Sequence, residues 1–202
     1  MTFATQSTVA FGDSWSATQH NVMINNDIHM NTAFSVNLFP TSSGIAPSSG
    51  LQAGALSQVQ SSGAGTIKPE YWILSLDAAT DEGRIWQGRV PRGFGSTLTI
   101  NGAFYMASAT SGNVVLAAQI SCVSDTDASV TAKVYATENA STVAVPGAAG
   151  TLKVFSITMT NADSIAAGDW FTLAFRRDAD NGSDTATGDL NLVLLDMYFS
   201  LA

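Results

Sequence analysis

The chain has 202 residues, 12% charged and 46% apolar, with sixteen acidic against eight basic side chains and a formal net charge of −8. That length supports one sizeable core, or a core carrying an arm. The acidic balance, with no Lys/Arg cluster to track phosphates, argues against nucleic acid as a partner, and no apolar run is long enough for a spanning helix, so no membrane partner is expected. The charged fraction is about half the usual quarter, so hydroxyls and amides do most of the solubilising. Neutral faces of that kind can be buried against another subunit at little desolvation cost.

The chain opens on MTFATQSTVAF, which has no basic stretch followed by an apolar one, so no secretory leader is expected. AFGDSW follows at residues 10–15 and resembles the first block of the GDSL-type serine hydrolases, with Ser14 at the nucleophile position. Such a nucleophile needs a base and oxyanion donors. The resemblance implies a histidine close to the C-terminus, yet the two histidines here are His20 and His29. The hydrolase reading therefore fails, no catalytic residue is assigned, and Asp13 or Ser14 is read as capping a short turn or helical stretch. His20 and His29, nine residues apart without a cysteine or third histidine beside them, make a poor metal pair.

Residues 1–40 scatter hydrophobes among Asn, Thr and Ser, and residues 41–66 are rich in Ser, Gly and Ala. The expectation is an irregular N-terminal arm and connector over 1–66, ordering upon a partner. Its docking residues would be Phe3, Val9, Phe11, Trp15, Val22, Ile24, Ile28, Phe34, Leu38 and Phe39.

From residue 67 the pattern turns regular. Strands are predicted at 70–77, 82–90, 96–107, 113–123, 129–137, 151–160, 169–178 and 189–200, divided by turns such as PRGFG, TSGN, SDTD and PGAAG. Leu98, Ile100, Gly102, Phe104 and Met106 share one face, as do Phe171, Leu173 and Phe175. Eight strands without a helical period predict an all-β fold over 67–202, an antiparallel β-sandwich of the jelly-roll kind. The last strand is apolar on both sides, with Leu190, Leu192 and Leu194 against Val193, Leu195, Met197 and Phe199. Such a strand is either central or covered by a neighbouring subunit.

Few residues suggest chemistry. Cys122 is single and sits in an apolar run, so a buried inert thiol is expected. Asp178, Asp180, Asp184 and Asp189 could hold Ca²⁺, but the spacing lacks an EF-hand's glycine and closing glutamate. The plainer reading is a loop in which Arg176 or Arg177 pairs with a carboxylate. The sequons at Asn139 and Asn181 read as chance. Of the aromatics Tyr71, Trp72, Trp86, Phe94, Phe104, Tyr105, Trp170, Phe171 and Phe175, most alternate into the core, although a sugar platform would need some exposed together. No cofactor and no metal is assigned.

Four segments in order, WQGRVPRG (86–93), FYMASATSGNVVLAAQI (104–120), TNADSIAAGDWFTLAFRRDA (160–179) and SDTATGDLNLVLLDMYF (183–199), are similar to a group of bacteriophage virion proteins with a jelly-roll domain. The resemblance implies a homotrimeric structural protein without catalytic residues, placed on the capsid surface of a virion. Its expected role is capsid decoration, as a cement protein binding itself and the major capsid protein. The alternative is a tail-fibre or appendage module gripping host glycans through loops such as 138–150 or 178–188.

Overall fold

The computed structural model describes residues 33–48, 50–127 and 129–201. Among the described residues eleven strands form two sheets: β1 (Ala33–Phe39), β2 (Gln52–Ala53), β3 (Ala55–Gln60), β4 (Glu70–Leu76), β5 (Glu82–Arg89), β6 (Phe94–Met106), β7 (Asn113–Val123), β8 (Asn139–Ala144), β9 (Lys153–Thr158), β10 (Trp170–Arg177) and β11 (Leu190–Leu201). The first sheet runs β3-β4-β11-β6-β9, with β1 also paired to β11. The second runs β2-β5-β10-β7-β8. Strands β4 to β7 and β8 to β11 cross between the sheets at each step in jelly-roll fashion, with β7 and β8 paired in the second; β2 and β3 extend edges, and β1 fills the flank of β11 beyond β4. Every pairing is antiparallel except the short β2–β5 contact.

Alternation explains the core. Leu98, Ile100, Phe104 and Met106 of β6 face Phe171, Leu173 and Phe175 of β10, all at 1% exposure or less. Phe155 stacks on Phe175 across the sandwich with ring centroids 5.7 Å apart. Burial of side chains this large, worth about 1.5–3 kcal/mol each, is the main stabilising term in a chain without disulfides. Gly88 of β5 lies beneath the Phe171 ring, where a Cβ would come within 2.7 Å of Cζ. Only glycine lets that ring lie flat against the neighbouring strand.

Seven of the eight expected strands form, β7 at its expected limits. The eighth, 129–137, does not. Val130–Ala132 makes a single 3₁₀ turn, and Val130 and Val134 stand 66% and 79% exposed. The strand beside β7 is instead β8, NASTVA. Its polar sequence carries one apolar anchor, Val143, opposite Val114.

The N-terminal boundary also moves. Strand β1 pairs with Leu195–Ser200 of β11, and Leu38 and Phe39 are buried in this chain's own core at 4% and 1% exposure. They serve the sandwich rather than a docking arm, because β4 covers that flank of β11 only over Leu190–Leu192 and leaves the rest open for β1. The stretch expected as a connector supplies β2 and β3, the latter an edge strand on β4. Phe34 lies in β1 opposite Phe199. Phe3, Val9, Phe11, Trp15, Val22, Ile24 and Ile28, like Ser14, His20 and His29, fall outside the described residues.

The last strand is central in its sheet, as one of the two expectations had it, and a bulge accounts for its two apolar sides. Its register against β6 shifts between Leu192 and Leu194. This bulge inverts the parity, so Leu190 and Leu192 before it and Leu195, Met197 and Phe199 after it all face the same core at 0% exposure. Leu194, grouped by parity with Leu190 and Leu192, turns to the outer side.

Candidate functional site

A concavity with polar walls lies on the outer face of the second sheet. Alternation along β10 sends Phe171, Leu173, Phe175 and Arg177 inward and Trp170, Thr172, Ala174 and Arg176 outward. Register then aligns cross-strand rows. Arg176 sits between Gly83 and Ala117, Ala174 between Ile85 and Gln119, Thr172 between Gln87 and Ser121, and Trp170 between Arg89 and Val123.

A cleft of about 470 Å³ opens over the first two rows. Ala117 and Ala174 give it a floor of small side chains. Gln119, Arg176, Glu138, Asp81 and Tyr135 supply the polar walls, and Gly50 and Leu51 close one side. A second depression of about 500 Å³ shares Gly50, Leu51 and Asp81 and adds Thr80 and Asp180, so the two form one bent groove.

Arg176 organises this groove. Its Nε donates to Glu138 Oε2 at 2.9 Å, and its guanidinium pairs with Asp178 at 2.8 Å and with Asp81. Burial works against the charge on Arg176, but Glu138, Asp178 and Asp81 outweigh it and hold the guanidinium above its ordinary range. Asp81 in turn accepts the Ala179 N–H at 2.8 Å, and Asn181 Nδ2 donates to Asp178 at 2.8 Å. Gln119 donates to the Ala136 carbonyl at 3.3 Å and ties down the segment that carries Tyr135 and Glu138. The walls are thus fixed before any ligand arrives.

Arg177, the next residue, is wholly buried and does a different job. Its Nε and a terminal nitrogen hold the two oxygens of Asp184 at 3.0 and 2.8 Å, and it donates to the carbonyls of Ala186 and Gly188. Asp184 also accepts the Val115 N–H at 3.0 Å. This network seals the end of the core beneath the 178–189 loop, and it realises the expected pairing of an arginine with a loop carboxylate.

The four aspartates weighed as Ca²⁺ ligands are divided by this arrangement. Asp184 is spent on Arg177 and Asp189 lies elsewhere. Asp178 and Asp180 instead converge with Asp81, their oxygens within 4.8 Å of one another, and Arg176 already pairs with two of the three. Asn139 of the first sequon is 6% exposed, and its amide is engaged with Thr160 and Asn161, so the motif there is structural.

A third depression, of about 480 Å³, lies by Lys133, Asp127, Asp163 and Asp169. Lys133 pairs with Asp163 at 3.3 Å and Asp127 at 3.5 Å, and Asp163 Oδ2 accepts the Cys122 N–H at 2.6 Å. Burial, then the charges of Asp163 and Asp169, pushes the Cys122 thiol up to about 12. A thiol held neutral in this way is inert, as its apolar surroundings in the sequence predict. Of the aromatics, Trp86, Phe94, Phe104, Phe171 and Phe175 are core, Tyr105 is half-buried, and Tyr71, Trp72 and Trp170 are exposed.

The fold and groove define an all-β jelly-roll sandwich with a polar cleft on one sheet. No protein-family model matches the chain, and no curated protein does. Among solved structures it is similar to TmCBM61 in complex with beta-1,4-galactotriose, at a TM-score of 0.37 and 12% identity over 84% of this chain and 89% of that one. It is also similar to the family 11 carbohydrate-binding module from Clostridium thermocellum in complex with a beta-1,3-1,4-mixed-linked tetrasaccharide, with a TM-score of 0.36 and 10% identity over 85% and 91%. A structure of infectious bursal disease virus, Gx strain, gives a TM-score of 0.18 at 13% identity over 84% and 36%. No residue role is carried over from any of them.

Proposed function

We propose that this chain is a non-catalytic glycan-binding module whose ligand lies in the cleft over β10 and β7. One observation carries this reading: a preformed concavity with a flat floor of alanines and walls that present amide, hydroxyl, guanidinium and carboxylate groups. Sugar rings offer hydroxyls that both donate and accept, and such mixed walls satisfy them without a large apolar pocket. Walls already locked by Arg176 and Gln119 lose little conformational freedom when the ligand binds. This corresponds to the appendage alternative in the sequence reading. The cement-protein reading drew part of its physical support from a last strand apolar on both sides, and the β11 bulge turns most of those residues into this chain's own core.

The test is affinity electrophoresis of the full chain against neutral polysaccharides (β-glucan, galactan, mannan, xylan) and chitosan. Retardation by at least one is expected. Ala174→Trp, which fills the cleft floor from an outward-facing position, should abolish it while leaving the thermal transition within a few degrees. Absence of retardation throughout the panel, or retardation indifferent to Ala174→Trp, would refute the proposal.

A further inference from the structure

The sheet face that floors the cleft continues past it. Beyond Ala174 the outward face of β10 continues through Thr172 to Trp170, which is 49% exposed although half its surface is packed. Thr172 lies between Gln87 and Ser121, so the face between cleft and tryptophan is small and polar. Arg89 beside Trp170 donates to the Gly168 carbonyl at 2.8 Å, which braces the turn that leads into the indole. From Arg176 to Trp170 the strand rise spans about 20 Å, room for about four pyranose rings laid end to end.

Charge narrows the ligand further. At the cleft end the one arginine is enclosed by Asp81, Glu138 and Asp178, with Asp180 on the adjoining depression. Carboxylates outnumber the cation, and each nitrogen of the cation is already paired with one of them. A uronate placed there would meet like charge and lose its hydration for nothing.

We infer that the ligand is a linear glycan with no carboxylate at its cleft end, running along β10 with its far ring stacked on Trp170. This rests on the glycan-binding reading above and adds direction, length and charge to it. An indole face against the apolar face of a sugar ring supplies contact without hydrogen-bond demands, and the cleft supplies the polar recognition.

The experiment is isothermal titration of the full chain with a size series, disaccharide to hexasaccharide, cut from the polysaccharide that retards it most. Affinity should rise up to about the tetrasaccharide and then level off. Trp170→Ala should weaken the tetrasaccharide about tenfold and leave the disaccharide within about twofold, with an unchanged thermal transition. Oligogalacturonate of matched length should not bind. A plateau at the disaccharide, a Trp170→Ala variant indistinguishable on the tetrasaccharide, or oligogalacturonate bound as well as the neutral chain would overturn the inference while the cleft reading stood. A chain that binds nothing in the panel would overturn both.

Discussion

The two sides of strand β10 carry opposite chemistry. Inward it reads Phe171, Leu173, Phe175, Arg177, all at 0% exposure. Outward it reads Trp170, Thr172, Ala174, Arg176, half-open throughout. Each side ends on an arginine, and the two arginines follow each other in sequence. Arg177 satisfies one buried carboxylate and two carbonyls and belongs to the fold. Arg176 is shared among the partly exposed Asp81 and Glu138 and the buried Asp178, and belongs to the groove. Period-two geometry alone assigns identical side chains to opposite tasks.

The sharpest way to break this contrast is Arg177→Met. It keeps much of the volume but leaves Asp184 charged, buried and unpaired, which costs about 3–5 kcal/mol. Chemical denaturation should show that loss, with little response to salt because the pair is sealed from solvent. Adding Asp184→Leu should recover only part of it, since the Val115 N–H and the carbonyls of Ala186 and Gly188 still lack partners. A fully stable single variant would mean that the network does not close the core.

A smaller, pH-gated effect belongs to the same inward side. Cys122 pairs with Phe171 across β7 and β10, and burial raises its thiol to about 12 against an ordinary 9.0. Above pH 9 the unfolded chain releases this proton while the folded chain retains it. The unfolded state then binds fewer protons, so stability must fall as pH climbs from 9 toward 12. Cys122→Ala should flatten that part of the stability curve in urea titrations. A slope identical to that of the parent would show that other groups govern the alkaline limb.

Sequence pattern carried the inward side and little else. Alternation in β6, β7 and β10 announced the sandwich because those strands bury one full face. The run at 129–137 alternates equally well but has no sheet to lie on, and period alone cannot tell the two apart. Strand β3, ALSQVQ, escaped because an edge strand needs only backbone pairing and can be exposed on both faces. The β11 bulge was hidden for another reason: one extra residue reverses the parity, and a two-sided apolar strand and a bulged one-sided strand have the same composition. The groove draws on Leu51, Asp81, Gln119, Glu138 and Arg176, brought together from segments far apart in the chain. Its local traces were that Glu138, Asp178 and Asp180 fall in the two loops expected to touch glycans and that Arg176 was a candidate partner for a loop carboxylate. The pairing of Asp81 with Arg176, 95 residues apart, has no signature short of the fold itself.

The gentlest test separates the arginines by solvent rather than by size of loss. Arg176 is 23% exposed, and of its partners Asp81 and Glu138 are each 26% and Asp178 10% exposed, so water screens most of the network. Arg176→Gln should cost about 1 kcal/mol, well below Arg177→Met. What remains in the variant is three carboxylates without their cation, a repulsion that mobile ions weaken. Raising NaCl from low to high concentration should therefore narrow the gap between Arg176→Gln and the parent, whereas the Arg177→Met gap should stay constant. Two gaps that shrink in parallel would place both arginines in the same solvent environment, and the inside and outside of β10 would cease to be distinct.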